Sequence, residues 1–427
     1  MKTMKKISLV GFGKIGQAVA ANILAHNIAV NAVDINTNLI KTFKTNEFIS
    51  NEPGITEILL KNFHSGNLKI TDDYSSIKNS QAVIVCIPLL ITESKKIIKN
   101  PFLDCLKNIA PFLSEKCLLS VETTIPVGFS RKTIVPLLDK LGKKHGVDFY
   151  LIYTPERIKS GTMLKQLLQN PKIIGGINNE AQEKGRKIYQ LFFSNKQLQT
   201  VSSIECAEMI KLAGMVYRDI NIAISNQLAV FSKKAGIDYT DVLRFANTDG
   251  EAFLLNPGIG VGGHCTPVYP YFLIENFKEK GLDFTLAKES RNINDKMASY
   301  ATTLINNDIE QKKALILGLG FRPDVKEDSF STTYLLHKIL KEKKYKIFLH
   351  DPYFSREEIK AKKFIPANDI YSTNARVVFL ATSHSIYKNI NWPRLKKSGC
   401  SYFIDGRNSF DKKIVESAGI KYMGIGR

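Results

Sequence analysis

The chain has 427 residues, of which 44% are hydrophobic and 23% charged, with a formal net charge of +20. This length and balance allow two or three domains with real cores and exclude disordered and fibrous classes. No run approaches the roughly 18 apolar residues that span a bilayer, and the apolar run before the first glycine is too short for a signal peptide, so a cytoplasmic protein is expected.

The cysteines, at 86, 105, 117, 206, 265 and 400, form no CxxC pair and no Cys/His cluster with zinc spacing. Free thiols in a reducing compartment, and no metal site, are the expectation. The lysines lie in short scattered groups such as KEKKYK at 341–346. Without a long basic run or an RNA-binding motif they read as a solvated surface that also attracts phosphate-bearing small molecules, not nucleic acid.

Taken in chain order, KKISLVGFGKIGQAVAANILAHNIAVNAVDIN predicts a buried strand, a glycine turn, a helix and a second strand ending in Asp34. Gly11, Gly13 and Gly16 spell GxGxxG, and Asp34 lies 18 residues past Gly16. That context is the dinucleotide-binding one: the glycines, with Lys14 and Ile15 opening the helix, let a pyrophosphate reach free N–H groups at the helix start. Asp34 would accept from ribose hydroxyls and repel a 2′-phosphate, so NAD is the expected cofactor rather than NADP.

Strands are predicted at 82–88, 117–126 and 149–157 with helices between them, which makes a doubly wound α/β domain of about 200 residues. From Ile204 a single helical stretch of about thirty residues follows, about 45 Å long, of the kind that joins domains or pairs with its copy. Strand signals return at 312–324, 345–353, 375–383 and 400–410. There GLG at 318–320 and Asp351 at a strand end look like half of a nucleotide-binding fold without the full fingerprint. The fold class expected is therefore α/β, with two Rossmann-like domains, 1–203 and 306–427, joined by a central helical domain, 204–305. Between the halves, NPGIGVGGHCTPVYPYF sets Cys265 behind Gly258, Gly260, Gly262 and Gly263. Read alone, it is either a turn with an incidental thiol or a nucleophile on a loop that another molecule can approach closely.

Several motifs in order decide between these. The chain resembles the UDP-glucose/GDP-mannose dehydrogenase family, especially its bacterial UDP-N-acetylhexosamine branch, through GFGKIG, ETTIPVG (122–128), TPERIKSG (154–161), AEMIKLAGMVYRDINIA (207–223), PGIGVGGHCTPV (257–268) and DGRN (405–408). The resemblance implies oxidation of the C6 alcohol of a nucleotide sugar to a carboxylate with two NAD and one water, in the service of polysaccharide biosynthesis. A homodimer or higher homo-oligomer is expected from the long helix itself, whose length and apolar Ile220, Ile222, Ile224, Leu228 and Val230 exceed what one face of a small domain would bury. The resemblance also implies roles for residues. Cys265 would attack the C6 aldehyde to give a thiohemiacetal and then a thioester. Glu156 would activate the hydrolytic water, Lys211 would steady the C6 oxyanion, and Thr124 would lie near cofactor and water. Arg157, Lys211, Arg218, Gly262, Tyr269 and Arg407 would contact the substrate. Each has a plainer alternative: Glu156 as a solvated acid, Lys211 and Arg157 as surface cations, Thr124 as an ordinary strand residue. His264 would either lower the thiol pKa or orient backbone.

The pattern also breaks. Met215 stands where the family has an asparagine, Tyr269 where it has an aspartate, Asp249 and Glu251 lie where an arginine motif is usual, and Ser329 replaces another arginine. Tyr269 either relays a proton or shapes the pocket for a different sugar. The related alternatives are a two-electron oxidation, an epimerisation through transient oxidation, and a non-catalytic nucleotide-sugar binder.

Overall fold

The structure, a computed structural model, describes residues 6–305 and 311–427. The expected start of the third domain at 306 and the first five residues lie outside the described residues. The chain divides into two compact units, Met1–Gly214 with Tyr271–Lys280, and Met215–Pro270 with Gly281–Arg427.

In the first unit, short aliphatic runs such as KISLV and AVIV are too brief for helices, and they become parallel strands buried on both faces. The strands are β1 Lys6–Val10, β2 Ala29–Val33, β3 Leu68–Thr71, β4 Ala82–Val85, β5 Cys117–Val121, β6 Phe149–Tyr153, β7 Lys172–Gly176 and β8 Leu198–Thr200. Their order in space is β8-β7-β6-β5-β4-β1-β2-β3. Ile7 pairs with Val30 on one side and Ala82 on the other. That reversal on either side of β1 is the switch point where such sheets bind ligands. β7 runs antiparallel to β6, with Ile152 opposite Gly176. The sequence reading did not find β3, β7 or β8, which lie toward the sheet's edges, where LKIT and LQT carry too little apolar pattern. Helix α1, Lys14–Ala25, buries Ala18, Ala20 and Ala21 against Ile7, Leu9 and Ile84. Helix α2, Asn179–Tyr189, begins at Asn178, whose side chain accepts from Ala181 N.

The long helix α3, Ile204–Ala235, has 32 residues, and α4 follows at Tyr269–Glu279. In the second unit come α5, Thr285–Thr303, then β9 Lys313–Leu317, α6 Thr332–Glu342, β10 Lys346–His350, β11 Ile365–Pro366, β12 Val377–Leu380, β13 Tyr402–Asp405 and β14 Lys421–Gly424. The strand order is β11-β10-β9-β12-β13-β14, and every pair is parallel. Strand alternation divides the core: Ala314 and Ile316 face Ala298 and Ala301 of α5, whereas Leu315 and Leu317 pack with Leu395, Trp392 and Phe403 on the opposite face. The expected fold class, two Rossmann-like sheets with a helical segment carrying one long helix, is what forms. No helix among the described residues is long and apolar enough to cross a membrane.

Candidate active site

The first glycine turn opens α1. Gly11 has φ +92°, and a Cβ on Gly16 would overlap the Gly11 carbonyl oxygen, so both positions exclude larger residues. Around Gly13, in contrast, a Cβ would meet nothing within 4 Å, and Gly13 starts α1 without any side-chain cap. Lys14 and Ile15 follow as the first helical residues, both half-buried. The helix start is thus a cradle with open space beside Gly13 and no side chain capping it, the arrangement a pyrophosphate needs. Asp34, just past β2, accepts from Phe12 N at 2.6 Å and from Asn36 N at 2.9 Å, so its carboxylate is fixed beside the turn. These residues fit a dinucleotide.

Past β5 the ETTIPVG segment stays buried, Thr124 at 5% exposure. Its loop is pinned twice. Glu208 of α3 accepts from Gly128 N at 2.5 Å and Ser130 N at 3.0 Å, and Asn276 of α4 donates to Val127 O and accepts from Val127 N. Burial pushes the Glu208 carboxyl up to about 7, against the pull of those donors.

Glu156 and Lys211 are both buried at 8% exposure, not solvated, and they meet: Lys211 Nζ donates to the Glu156 carbonyl oxygen at 2.5 Å. The Glu156 carboxylate pairs with Lys172 of β7, which reaches Glu122 Oε2 on its other side at 2.9 Å. Tyr189 OH donates to the remaining Glu122 oxygen and lies 2.7 Å from Ser120 Oγ. Burial pushes the Glu156 carboxyl up, and Lys172 offsets part of that. Burial alone would pull the Lys172 ammonium down, yet Glu122 and Glu156 hold it above the ordinary lysine range. Glu122, Lys172 and Tyr189 are absent from the sequence-based candidates. The only available signals are that Glu122 opens a quoted motif and that Lys172 is the one charge in the apolar run KIIGG. Arg157 is exposed, and its guanidinium donates to Pro171 O at 2.7 Å, closing the loop between Glu156 and β7.

In the second unit, Cys265 is half-exposed one turn before α4, and its carbonyl accepts from Tyr269 N at 2.9 Å. The glycines around it admit neighbours from the chain itself. A Cβ on Gly262 would lie 2.6 Å from Phe321 Cβ, one on Gly263 2.8 Å from the Phe321 ring, one on Gly260 2.7 Å from Thr332, and one on Gly258 3.0 Å from Arg407 Nη1. The close approach that these glycines permit is made by the chain itself, which presses the loop onto the second sheet. Ile259 N donates to Gly406 O and Gly263 N to Ser329 O, while Gly258 N donates to Asn226 Oδ1. Behind Asn226 a buried chain of partners continues through Asn294 to Asp219 and Arg291, whose Nη1 is 2.6 Å from Asp219 Oδ1. Sequence reading missed this network because its residues are scattered over α3 and α5.

Arg407 is half-buried and already engaged, Nε donating to Ala381 O at 2.7 Å and Nη1 reaching Gly260 O at 3.4 Å. It is a clasp on the cysteine loop as well as a candidate substrate contact. Burial draws its pKa down to about 10, which still leaves it a cation. Tyr269, 9% exposed, is the first residue of α4, and Met215 and Arg218 are half-buried on α3. His264 is mostly exposed, with Nε2 3.5 Å from Glu327 Oε1. Asp249 accepts from Glu251 N and Ala252 N in an exposed turn. No group of His, Cys, Asp and Glu among the described residues could hold a metal ion.

Three sequence models of one family cover most of the chain. The NAD binding domain of the UDP-glucose/GDP-mannose dehydrogenase family matches residues 5–193, its central domain 205–296, and its UDP binding domain 315–412. The UDP-N-acetyl-D-mannosamine dehydrogenase of Pyrococcus horikoshii is 30% identical over 431 residues, covering 99% of both chains. A solved structure of UDP-D-ManNAc dehydrogenase from that organism superposes with a TM-score of 0.89 at 29% identity, over 99% of each chain. A solved NDP-N-acetyl-D-galactosaminuronic acid dehydrogenase from Methanosarcina mazei Go1 gives 0.84 at 25% identity, over 100% of this chain and 96% of that one.

Proposed function

Because the chain belongs to the UDP-glucose/GDP-mannose dehydrogenase family, we propose that it oxidises C6 of a UDP-N-acetylhexosamine, of the UDP-N-acetyl-D-mannosamine type, from alcohol to carboxylate. It is a nucleotide-sugar dehydrogenase and an NAD-dependent oxidoreductase. Gly11, Gly13, Gly16 and Asp34 would hold NAD, which when bound would supply the acceptor for the hydride from C6, two NAD per sugar. With one water consumed, each sugar yields one carboxylate, two NADH and three protons.

The protein's own groups manage the carbon. The Cys265 thiolate adds to the C6 aldehyde from its half-exposed place one turn before α4. Lys211 balances negative charge on the C6 oxygen while the thiohemiacetal and thioester form. Glu156 takes a proton from water as its oxygen attacks the thioester, and Cys265 departs as thiolate. Arg157, Arg218 and Arg407 are the cations offered to the diphosphate, and Gly262 and Tyr269 border the sugar. The observation that carries the reading is the Lys211 to Glu156 contact, in which the ammonium of one motif donates to the backbone carbonyl of the other in one buried place.

We also propose the division into 1–203, 204–305 and 306–427, a reducing cytoplasmic setting consistent with six free cysteines, and a homodimer built on α3. Tyr217, Ile224, Leu228 and Phe231 recur along one side of that helix and are 56, 45, 40 and 64% exposed.

The test is a panel of UDP- and GDP-sugars scored by NADH formed per sugar consumed. Two NADH per sugar, with Cys265→Ala forming less than about one hundredth of the uronate while binding NAD normally, is the expected result. One NADH or none, or full uronate output from Cys265→Ala, would overturn the covalent four-electron reading.

A further inference from the structure

We propose that Lys172 is a positioning residue for Glu156, holding its carboxylate ionised and in one orientation through an ion pair buried among Glu122, Tyr189 and Ser120. This rests on the reading of Glu156 as the base of thioester hydrolysis. In that step the water oxygen forms a bond to C6, the bond from C6 to Cys265 Sγ breaks with its electron pair leaving on sulfur, and Glu156 gains the water's proton. No electron is exchanged, and Lys172 keeps its own proton throughout.

The geometry is that of a bracket. Lys172 Nζ bridges Glu156 Oε1 and Glu122 Oε2, and the three side chains are 3, 6 and 0% exposed. Its remaining surroundings are two ring faces, Tyr189 at 5.6 Å and Phe193 at 5.5 Å from Nζ to the centroids. The far oxygen of Glu122 receives Tyr189 OH, which is itself near Ser120 Oγ and 3.2 Å from Thr154 Oγ1. Glu122 therefore cannot swing away, and neither can the ammonium between the carboxylates.

As a device for stability this is a poor choice. A buried ion pair gains little over well-packed apolar side chains. The arrangement makes sense where Glu156 must stay charged although buried. A small cleft lined by Glu156, Lys172, Gln166, Asn170 and Phe193 lies beside the pair.

The charged and titratable groups around Glu156 are few. Lys172 comes from β7, Glu122 from the end of β5, Tyr189 from α2 and Lys211 from α3. The Cys86 thiol, past β4, is pushed well up by burial and stays neutral, and the exposed Arg157 guanidinium donates to Pro171 O. Among them Lys172 is the largest pull toward the ionised form, and Glu122 the largest push from a charge against it, after burial itself. Removing these two charges must move the acid side of the activity profile in opposite directions. A merely structural pair would not do that.

The experiment uses the full-length enzyme with the nucleotide sugar that gives the fastest NADH production. It compares Lys172→Met, Lys172→Arg and Glu122→Gln by kcat and KM against pH, and by the fraction of Cys265 carrying an acyl group in intact-mass spectra. For Lys172→Met the acid limb of kcat should move up by about one pH unit or more, and kcat at neutral pH should fall by about 10- to 100-fold with KM within about threefold. Acylated Cys265 should accumulate in it. Lys172→Arg should restore most of kcat, and Glu122→Gln should move the acid limb down. An unshifted limb in Lys172→Met, or shifts of the same sign in Lys172→Met and Glu122→Gln, would overturn the proposal. If Lys172→Met fails to fold, Lys172→Arg and Glu122→Gln still decide: the proposal needs a retained and a lowered limb. The covalent reading fails by a different sign, uronate formed by Cys265→Ala, so the two failures are told apart.

Discussion

Each of the two Rossmann-like sheets has a glycine turn after its first strand and an aspartate at the end of its second, yet the two turns end in opposite states. At Gly11–Gly16 the helix begins immediately, without a side-chain cap, and the space beside Gly13 is open. At Gly318–Gly320 the chain closes on itself. A Cβ on Gly318 would overlap Thr382, and one on Gly320 would lie 3.2 Å from the Val325 carbonyl. Leu319 N and Gly320 N both donate to Asp351 Oδ2, which also lies 3.1 Å from His384 Nε2. The next helix, α6, starts twelve residues later and is already capped by Ser331, whose Oγ accepts from Thr333 N. Asp34 remains half-buried at the turn, whereas Asp351 is 5% exposed. The pattern of strand, glycine and acid does not by itself make a phosphate site. What matters is whether the space at the turn and helix start is left open for a ligand or filled by the chain.

Substitutions on the two sides sharpen this contrast. Gly16→Ala puts a methyl group onto the Gly11 carbonyl and must shift the turn, so NAD affinity should fall by about 100-fold or more, about 2.7 kcal/mol, by calorimetric titration. Asp34→Ala removes a ribose acceptor and the charge that repels a 2′-phosphate. NAD affinity should fall about tenfold while the preference over NADP narrows, read from the two dissociation constants. Asp351→Asn, on the closed turn, should leave NAD affinity within about twofold. It should lower stability by about 1–3 kcal/mol in denaturant titration, since two buried N–H groups and His384 lose a charged acceptor.

The parts of the fold that could be read from sequence were those with strong local pattern. KISLV followed by GFGKIG and the long run from Ile204 specify their own structure, and the α/β class follows from strands alternating with helices. β3 and β8 were not legible because short edge strands such as LKIT and LQT show little periodicity, and β7 because a lysine and two glycines leave KIIGG only two aliphatic residues. Within the candidate site, Glu156, Lys211 and Cys265 stand in contiguous motifs and could be named. Lys172 and Tyr189 could not, because their significance lies in a partner 16 residues away for one and 67 for the other. The glycines before Cys265 were legible as a demand for close approach, but not what approaches: Phe321, Thr332 and Arg407 come from far along the chain. Sequence shows that a neighbour must be near; only tertiary structure says whether it is a ligand or the protein.

The claim that one turn is open and the other used up is tested most directly by counting NAD. Isothermal titration of the full-length chain with NAD, in the absence of nucleotide sugar, should give one site per chain, and Gly16→Ala should abolish it over the accessible concentrations. Two sites per chain, or a site that survives in Gly16→Ala and is lost in Asp351→Asn, would contradict the account.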